Sequence, residues 1–121
     1  MNKADLIEYL NGLISAEELN SLISDEIIAF RKNLLIKGKS AQIIFYGDSE
    51  RTNITKNHLR VICSDFLAGT SNEYFVSYIV DALLLSENSR FESEEIRERF
   101  EMLTDFESHL SKETVLQACM F

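Results

Sequence analysis

Residues 73–85 have the sequence EYFVSYIVDALLL. If this stretch is helical, with about 100° between successive residues, apolar side chains surround nearly all of its circumference. Only Glu73, Ser77 and Asp81, each four residues from the next, form a polar strip. A helix that is apolar on almost every side belongs in the centre of a protein. We therefore predict that residues 73–85 form a central helix around which the other segments pack.

The composition favours helices over strands for the rest of the chain. The 121 residues include no proline and only four glycines, and 45% of them are hydrophobic. Proteins built from strands and tight turns normally need both proline and glycine at their corners. A chain of this size is sufficient for one packed domain. We predict an all-α fold: a compact antiparallel bundle of five to six helices in a single domain, residues 1–121.

Residues with capping side chains mark the ends of the predicted helices. Ser15 and Glu18 have the spacing of a capping box, and Thr55 and Ser93 stand just before amphipathic segments. Gly38 and Gly69 are suited to end helices. The predicted helices are 3–14, 16–38 with an alternative break at 24–26, 56–68, 73–85, 94–103 and 112–120, with a turn at 86–89.

Residues 41–46, with the sequence AQIIFY, are the one segment with strand character. Consecutive β-branched and aromatic side chains favour an extended conformation. No partner strand is evident nearby, however, and a single strand leaves its backbone groups unpaired. A strand, a short helix and an irregular packed segment therefore all remain open here.

The negative charge is concentrated in the second half of the chain. Residues 1–60 contain eight basic and eight acidic side chains, whereas residues 61–121 contain four basic and twelve acidic ones, giving 4 − 12 = −8. Such a charge repels nucleic acids and anionic membranes and attracts basic partners. No apolar run approaches the roughly 20 residues of a membrane span, and the N-terminus lacks the apolar segment of a secretory signal. We expect a cytoplasmic protein that binds neither nucleic acid nor membrane.

The residues that could carry catalysis or hold a metal are few and scattered. His58 and His109 have no partner at a metal-binding spacing, and the glycines form no phosphate-binding loop. Cys63 and Cys119 lie in apolar surroundings, so we predict buried free thiols, with a disulfide as the alternative. The sequence therefore indicates a protein without cofactor or metal that is not an enzyme.

An acidic stripe is the most specific surface feature. It lies in residues 91–105, FESEEIRERFEMLTD. On a helix, four carboxylates fall within a sector about 60° wide, opposite the apolar residues Ile96, Phe100 and Leu103. Met102 flanks them as a candidate apolar contact. The predicted partner-binding residues are Glu94, Glu98, Glu101, Met102 and Asp105.

The acidic stripe has two interpretations. Like charges three or four residues apart cost about 0.2–0.5 kcal/mol per pair, which suggests selection for something other than helix stability. Acidic helix faces are nevertheless common as simple solvated surfaces. A second candidate, Asp81 with Ser77 and Tyr78, is better interpreted as a set of structural hydrogen bonds, because partly buried carboxylates are normally paired within the fold.

The segments YIVDALLLSE and FESEEIRERFEMLTD resemble the immunity proteins of bacterial polymorphic toxin systems, including contact-dependent growth inhibition. The resemblance covers about residues 74–113 and rests on pattern and composition. It implies a small protein that neutralises a cognate toxin, often a nuclease with a basic substrate groove. The chain differs from the colicin-type immunity proteins, which are shorter and have a helix with paired tyrosines, so no binding residue is transferred from them.

The predicted function is therefore that of an immunity protein whose acidic stripe binds a basic toxin domain. The alternative is a small helical adaptor or regulatory subunit that binds a housekeeping partner through apolar residues. Association through the stripe should depend strongly on salt concentration, whereas association through an apolar surface should not.

Overall fold

The chain folds around the helix of residues 73–85, whose apolar sequence predicts a central position. The computed structural model describes residues 1–35, 43, 45–104 and 109–120. These ranges contain six helices and two short strands. In chain order they are α1 (Lys3–Leu10), α2 (Ala16–Leu35), β1 (Thr52–Ile54), α3 (Lys56–Ala68), α4 (Glu73–Leu85), β2 (Ser89–Phe91), α5 (Glu94–Met102) and α6 (Lys112–Ala118).

Helix α4 lies in the core, as its sequence predicts. Eight of its thirteen residues are buried. Two of its rings make edge-to-face contacts: Phe75 with Tyr9 of α1, at 5.6 Å between ring centroids, and Tyr78 with Phe30 of α2, at 5.3 Å. Such contacts add to the stabilisation from buried area. The buried hydrophobic residues form one cluster, and every one of the six helices contributes to it.

Local capping explains why several helix ends match the predictions. The Glu18 amide donates to Ser15 Oγ at 3.0 Å, which begins α2. The Thr55 amide donates to His58 Nδ1 at 3.1 Å at the start of α3. Gly69 ends α3 with φ of 80°, a left-handed conformation that glycine adopts without a steric cost. Asn72 Oδ1 then accepts from the first free amides of α4.

Three helices, α1, α5 and α6, are shorter than predicted, α5 only by Leu103, and α2 is continuous. Helix α1 ends at Leu10 and not at residue 14, because Gly12 has φ of 77° and turns the chain towards Ser15. Helix α6 ends at Ala118 and not at residue 120. Helix α2 runs without a break through residues 24–26, and its predicted end at Gly38 lies outside the described residues.

The prediction of an all-α antiparallel bundle is wrong in one respect, because the mainly helical fold includes a small parallel sheet. Strands β1 and β2 pair side by side, with Thr52 opposite Ser89 and Ile54 opposite Phe91. Three residues are too few to show the alternation that identifies a strand in a sequence. Consequently the predicted turn at 86–89 ends one residue early, since Ser89 already belongs to β2.

Half of the segment 41–46, residues 41, 42 and 44, lies outside the described residues. Within it, Ile43 and Phe45 have no regular secondary structure, and Tyr46 forms an isolated parallel bridge with Asn2. The Lys3 amide donates to the Tyr46 carbonyl oxygen at 2.8 Å. The extended character of residues 41–46 is thus present at Tyr46, where it attaches the segment to the start of α1.

The prediction of two free thiols is wrong for this structure. Cys63 of α3 and Cys119, directly after α6, are joined by a disulfide bond. The two residues are separated by 56 positions in the sequence, and they meet because α6 packs against α3. Among the described helices, none is both long enough and apolar enough to cross a membrane.

Candidate partner-binding surface

The acidic stripe of α5 faces outward, as its helical geometry predicts. Ser93 caps the helix, with Oγ accepting from the Ile96 amide at 3.2 Å. Ile96, Phe100 and Leu103 are buried, at 5%, 0% and 0% exposure. These three residues fix the rotation of the helix about its axis. The carboxylates on the opposite side are exposed: Glu94, Glu98 and Glu101.

Helix α5 is attached to its neighbours by aromatic and ionic contacts. The Phe100 ring packs edge-to-face on Phe91 of β2, at 5.1 Å between centroids. Arg99 Nη1 donates to the carbonyl oxygens of Gln117 at 2.9 Å and Ala118 at 3.2 Å, at the end of α6. A cation at a helix C-terminus is favourable because the last carbonyl groups have no partner within the helix. The contacts of Phe100 and Arg99 therefore fix α5 in place while its acidic face points outward.

Two arginines neutralise part of the acidic charge of α5. Arg97 Nε lies 3.3 Å from Glu101 Oε1, and Arg99 Nη2 lies 3.1 Å from Glu95 Oε1, both at the i,i+4 spacing. Exposed pairs of this kind stabilise a helix by only about 0.3–0.5 kcal/mol. Within the described residues, Glu94 and Glu98 form no salt bridge. Those two carboxylates are the free negative charge of the face.

The remaining predicted members of the stripe are less clearly part of it. Met102 is half-buried and packs against the core, so it is not the freely exposed apolar contact that the sequence suggested. Its neighbour in sequence, Leu103, is fully buried, so the end of the helix lies against the core. Asp105 lies outside the described residues.

The side chains of the second candidate group, Ser77, Tyr78 and Asp81, point to different partners. Ser77 is buried, and the Tyr78 hydroxyl donates to Glu26 Oε1 at 2.7 Å. Burial raises the pKa of Asp81 to about 6, while a hydrogen bond from Thr104 acts in the opposite direction. The structural interpretation of this group therefore agrees with the geometry, since no common cleft brings the three together.

A buried ion pair is the main polar feature that the sequence did not reveal. Lys3 is 4% exposed, and its Nζ donates to Asp48 Oδ1 at 2.7 Å and to the carbonyl oxygens of Glu50 and Asn88, both at 3.0 Å. Burial raises the pKa of Asp48, but hydrogen bonds and the Lys3 charge outweigh it, so the pKa is lowered overall. Three acceptors for the three ammonium protons make this a structural site.

A second unpredicted contact links α1 to the end of α3. The Tyr9 hydroxyl donates to Asp65 Oδ2 at 2.7 Å, and Thr70 Oγ1 donates to Asp65 Oδ1 at 3.1 Å. Burial, followed by the hydrogen bond to Asp65, raises the pKa of Tyr9 far above its ordinary value. The tyrosine therefore stays protonated and acts as a permanent donor. Neither this pair nor Lys3–Asp48 has a local sequence signal, because the partners lie 56 and 45 residues apart.

The residues with catalytic potential do not converge where the structure describes them. His58 uses Nδ1 at the start of α3 and places Nε2 2.9 Å from Asn11 Oδ1, and Cys63 is bonded to Cys119. His109 is exposed. Over the described ranges, no three histidine, cysteine or acidic side chains are arranged to hold a metal ion.

Comparison with known proteins finds no relative from which a role could be transferred. No protein-family model, no curated protein and no solved structure matches the chain. What the exposed face of α5 does must therefore be inferred from its own geometry and charge.

Proposed function

We propose that the protein is an immunity-type inhibitor that binds a basic toxin domain through the acidic face of α5. The observation that carries the proposal is the pair Glu94 and Glu98. They are exposed, one helical turn apart, and without a salt bridge in the described part of the chain. Two like charges one turn apart lower the stability of a helix, but they attract cations. The protein acts by binding and not by catalysis.

In this mechanism the carboxylates Glu94, Glu98 and Glu101 contact lysines and arginines of the toxin. If the toxin is a nuclease, these cations line the groove that holds the phosphate backbone, and the inhibitor blocks that groove or a surface beside it. The net charge of −8 adds long-range attraction, which raises the association rate. Met102 and Asp105 remain members of the proposed contact set.

Reversing the two free charges tests the proposal. The variant E94K/E98K is compared with E8K/D25K, which changes the net charge equally at exposed positions of α1 and α2. The toxin to use is the product of the reading frame immediately upstream, and the readouts are growth protection and association rate. We expect E94K/E98K to lose protection and to associate at least about tenfold more slowly, because steering depends on local charge. The control should keep both, and equal protection by both variants would contradict the proposal.

A helical adaptor is the second candidate, and one observation favours it. Leu116 of α6 and Met120, two residues beyond its end, are large apolar side chains that are 50% and 71% exposed. Exposed apolar pairs of this kind occur at protein–protein contacts. Association that weakens as salt is raised supports the acidic face. Association indifferent to salt, and abolished by L116S/M120S, supports the adaptor.

The proposed compartment is the cytoplasm, where an inhibitor meets a toxin that has entered the cell. The reducing conditions there favour thiols over disulfides. In that compartment the Cys63–Cys119 bond would therefore be subject to reduction. The mass of the alkylated protein, taken directly from lysed cells, distinguishes the two states.

A further inference from the structure

The outer edge of strand β2 carries backbone groups that are not used by the sheet. The Thr52 amide donates to the Asn88 carbonyl at 2.8 Å, and the Glu92 amide donates to the Ile54 carbonyl at 2.9 Å. In a parallel ladder the bonded residues alternate along each strand. Asn88, Arg90 and Glu92 therefore face β1.

The residues between them, Ser89 and Phe91, direct their N–H and C=O groups away from β1. The sheet of the described residues has only these two strands, so no other strand in that part of the chain meets the edge. Backbone polar groups without a protein partner must be hydrated or bound. The edge thus offers two donors and two acceptors in the spacing of an extended chain.

A cleft runs along this edge between β2 and the beginning of α5. Its walls include Glu87, Arg90 and Glu94. A fourth charged residue of the cleft, Arg97, is already engaged, since it pairs with Glu101 and lies over the Phe91 ring at 5.5 Å from its centroid. The unengaged charges of the cleft are therefore two carboxylates and one arginine.

We propose that a partner polypeptide adds an extended, basic segment to β2 as the third strand of this sheet. The backbone of such a segment would bond to Ser89 and Phe91, and its basic side chains would lie near Glu87 and Glu94. Strand addition of this kind obtains affinity from main-chain hydrogen bonds and specificity from the neighbouring side chains. The inference goes beyond the proposed function, because it requires a strand edge and not the charges at Glu98 and Glu101.

Charge argues against a second copy of the chain in this position. An antiparallel pairing of two β2 strands centred on Arg90 would place the two arginines opposite each other, and like charges opposite each other in a sheet are destabilising. Each copy also has a net charge of −8. A basic segment from another protein is attracted by the net negative charge, and it can pair in a register that keeps its basic side chains away from Arg90.

A proline substitution tests the outer edge of β2 without breaking the hydrogen bonds between β2 and β1. In S89P the outward donor of β2 is lost while the ladder to β1 stays intact, since the Ser89 amide is not part of it. S89A removes the hydroxyl, which donates to Ser86 Oγ at 2.8 Å, but keeps the amide. N53P removes an outward donor from β1, on the opposite edge. Far-UV circular dichroism and urea unfolding identify the variants that fold.

The probe is a synthetic peptide selected from a phage-displayed library of random dodecapeptides on the wild-type protein. We expect peptides rich in lysine or arginine that bind S89A and N53P as tightly as wild type. Binding to S89P should be at least about tenfold weaker, the loss expected for one hydrogen bond and a clash with the ring. In wild type, bound peptide should slow hydrogen exchange at the Ser89 and Phe91 amides, a readout that holds even if S89P does not fold.

Several results would overturn the proposal. These are the absence of any enriched peptide, equal loss of binding in S89P and N53P, and exchange protection confined to other amides. A wild-type dimer in sedimentation that S89P dissociates would show that the occupant is a second copy. E98K and S89P distinguish this proposal from the acidic-face proposal, because Glu98 does not line the cleft and S89P keeps both Glu94 and Glu98.

Discussion

Replacing Asp81 with asparagine should make the protein more stable at neutral pH. The Asp81 carboxyl is half-buried on α4, and burial raises its pKa from an ordinary 3.8 to about 6. The native state therefore holds the proton more tightly than the unfolded chain does. Because of this, the contribution of Asp81 to the free energy of unfolding falls as the pH rises from about 4 to about 6, and it is level above that range.

The size of the effect follows from the shift in pKa. Each unit corresponds to about 1.4 kcal/mol, so a shift of about two units sets an upper bound of about 3 kcal/mol. Partial exposure to solvent reduces this figure, and we expect D81N to be about 1–3 kcal/mol more stable than wild type at pH 7.5. Asparagine is close in shape to the protonated acid and can still accept from Thr104. The difference should consequently vanish below about pH 4.

Urea unfolding of both proteins at several pH values measures this difference, because titrations common to the two cancel. D25N, at an exposed position of α2, is the matched control for the loss of one charge. The reasoning is refuted if wild type and D81N differ by the same amount at every pH. An NMR titration of the Asp81 carboxyl carbon with a midpoint near 4 would refute it directly.

Three further substitutions or treatments test the polar and covalent links of the core. Lys3→Met should lower the free energy of unfolding by about 3–5 kcal/mol, because it leaves Asp48 partly buried without its cation; a urea midpoint close to that of wild type would contradict this. Dithiothreitol should lower the stability of the oxidised protein by about 4 kcal/mol if the Cys63–Cys119 bond, which closes a loop of 56 residues, restricts the unfolded chain; unchanged unfolding would show that the bond contributes nothing. Tyr9→Phe should cost about 1–2 kcal/mol through the lost hydroxyl, and thermal unfolding indistinguishable from wild type would argue that its aspartate is satisfied by water.

The helices could be predicted because their signals are local. Thr55, Asn72 and Ser93 each precede a helix that begins at the next residue, and a capping side chain acts on amides two or three positions away. The outward direction of the α5 carboxylates was predictable for the same reason. The rotation of that helix is set by Ile96 and Phe100, which lie on the same short stretch of sequence.

What the sequence did not reveal depends on residues distant in the chain. Strand β2 is defined only by its pairing with β1, and the disulfide only by the packing of α6 on α3. Nothing near Lys3 in the sequence indicates Asp48 as its partner. Periodicity and capping report the conformation of a segment, but they do not report which segments meet.

The candidate surface is built on a helix that is attached to three other elements, α6, β2 and α4. Through Arg99, α5 is bonded to the end of α6, and α6 is covalently linked to α3 by the disulfide. Phe100 packs on β2, and α5 also packs against α4. A surface held in this way loses little conformational entropy when a partner binds, so its charges are oriented before contact.

It follows that an anchor such as Arg99 should influence partner affinity without touching the partner. R99K keeps the positive charge but loses the planar fork that meets both α6 carbonyls, so it should raise the dissociation rate while leaving the salt dependence of association unchanged. If R99K instead altered the association rate and its salt dependence, Arg99 would be acting through its charge and not as an anchor.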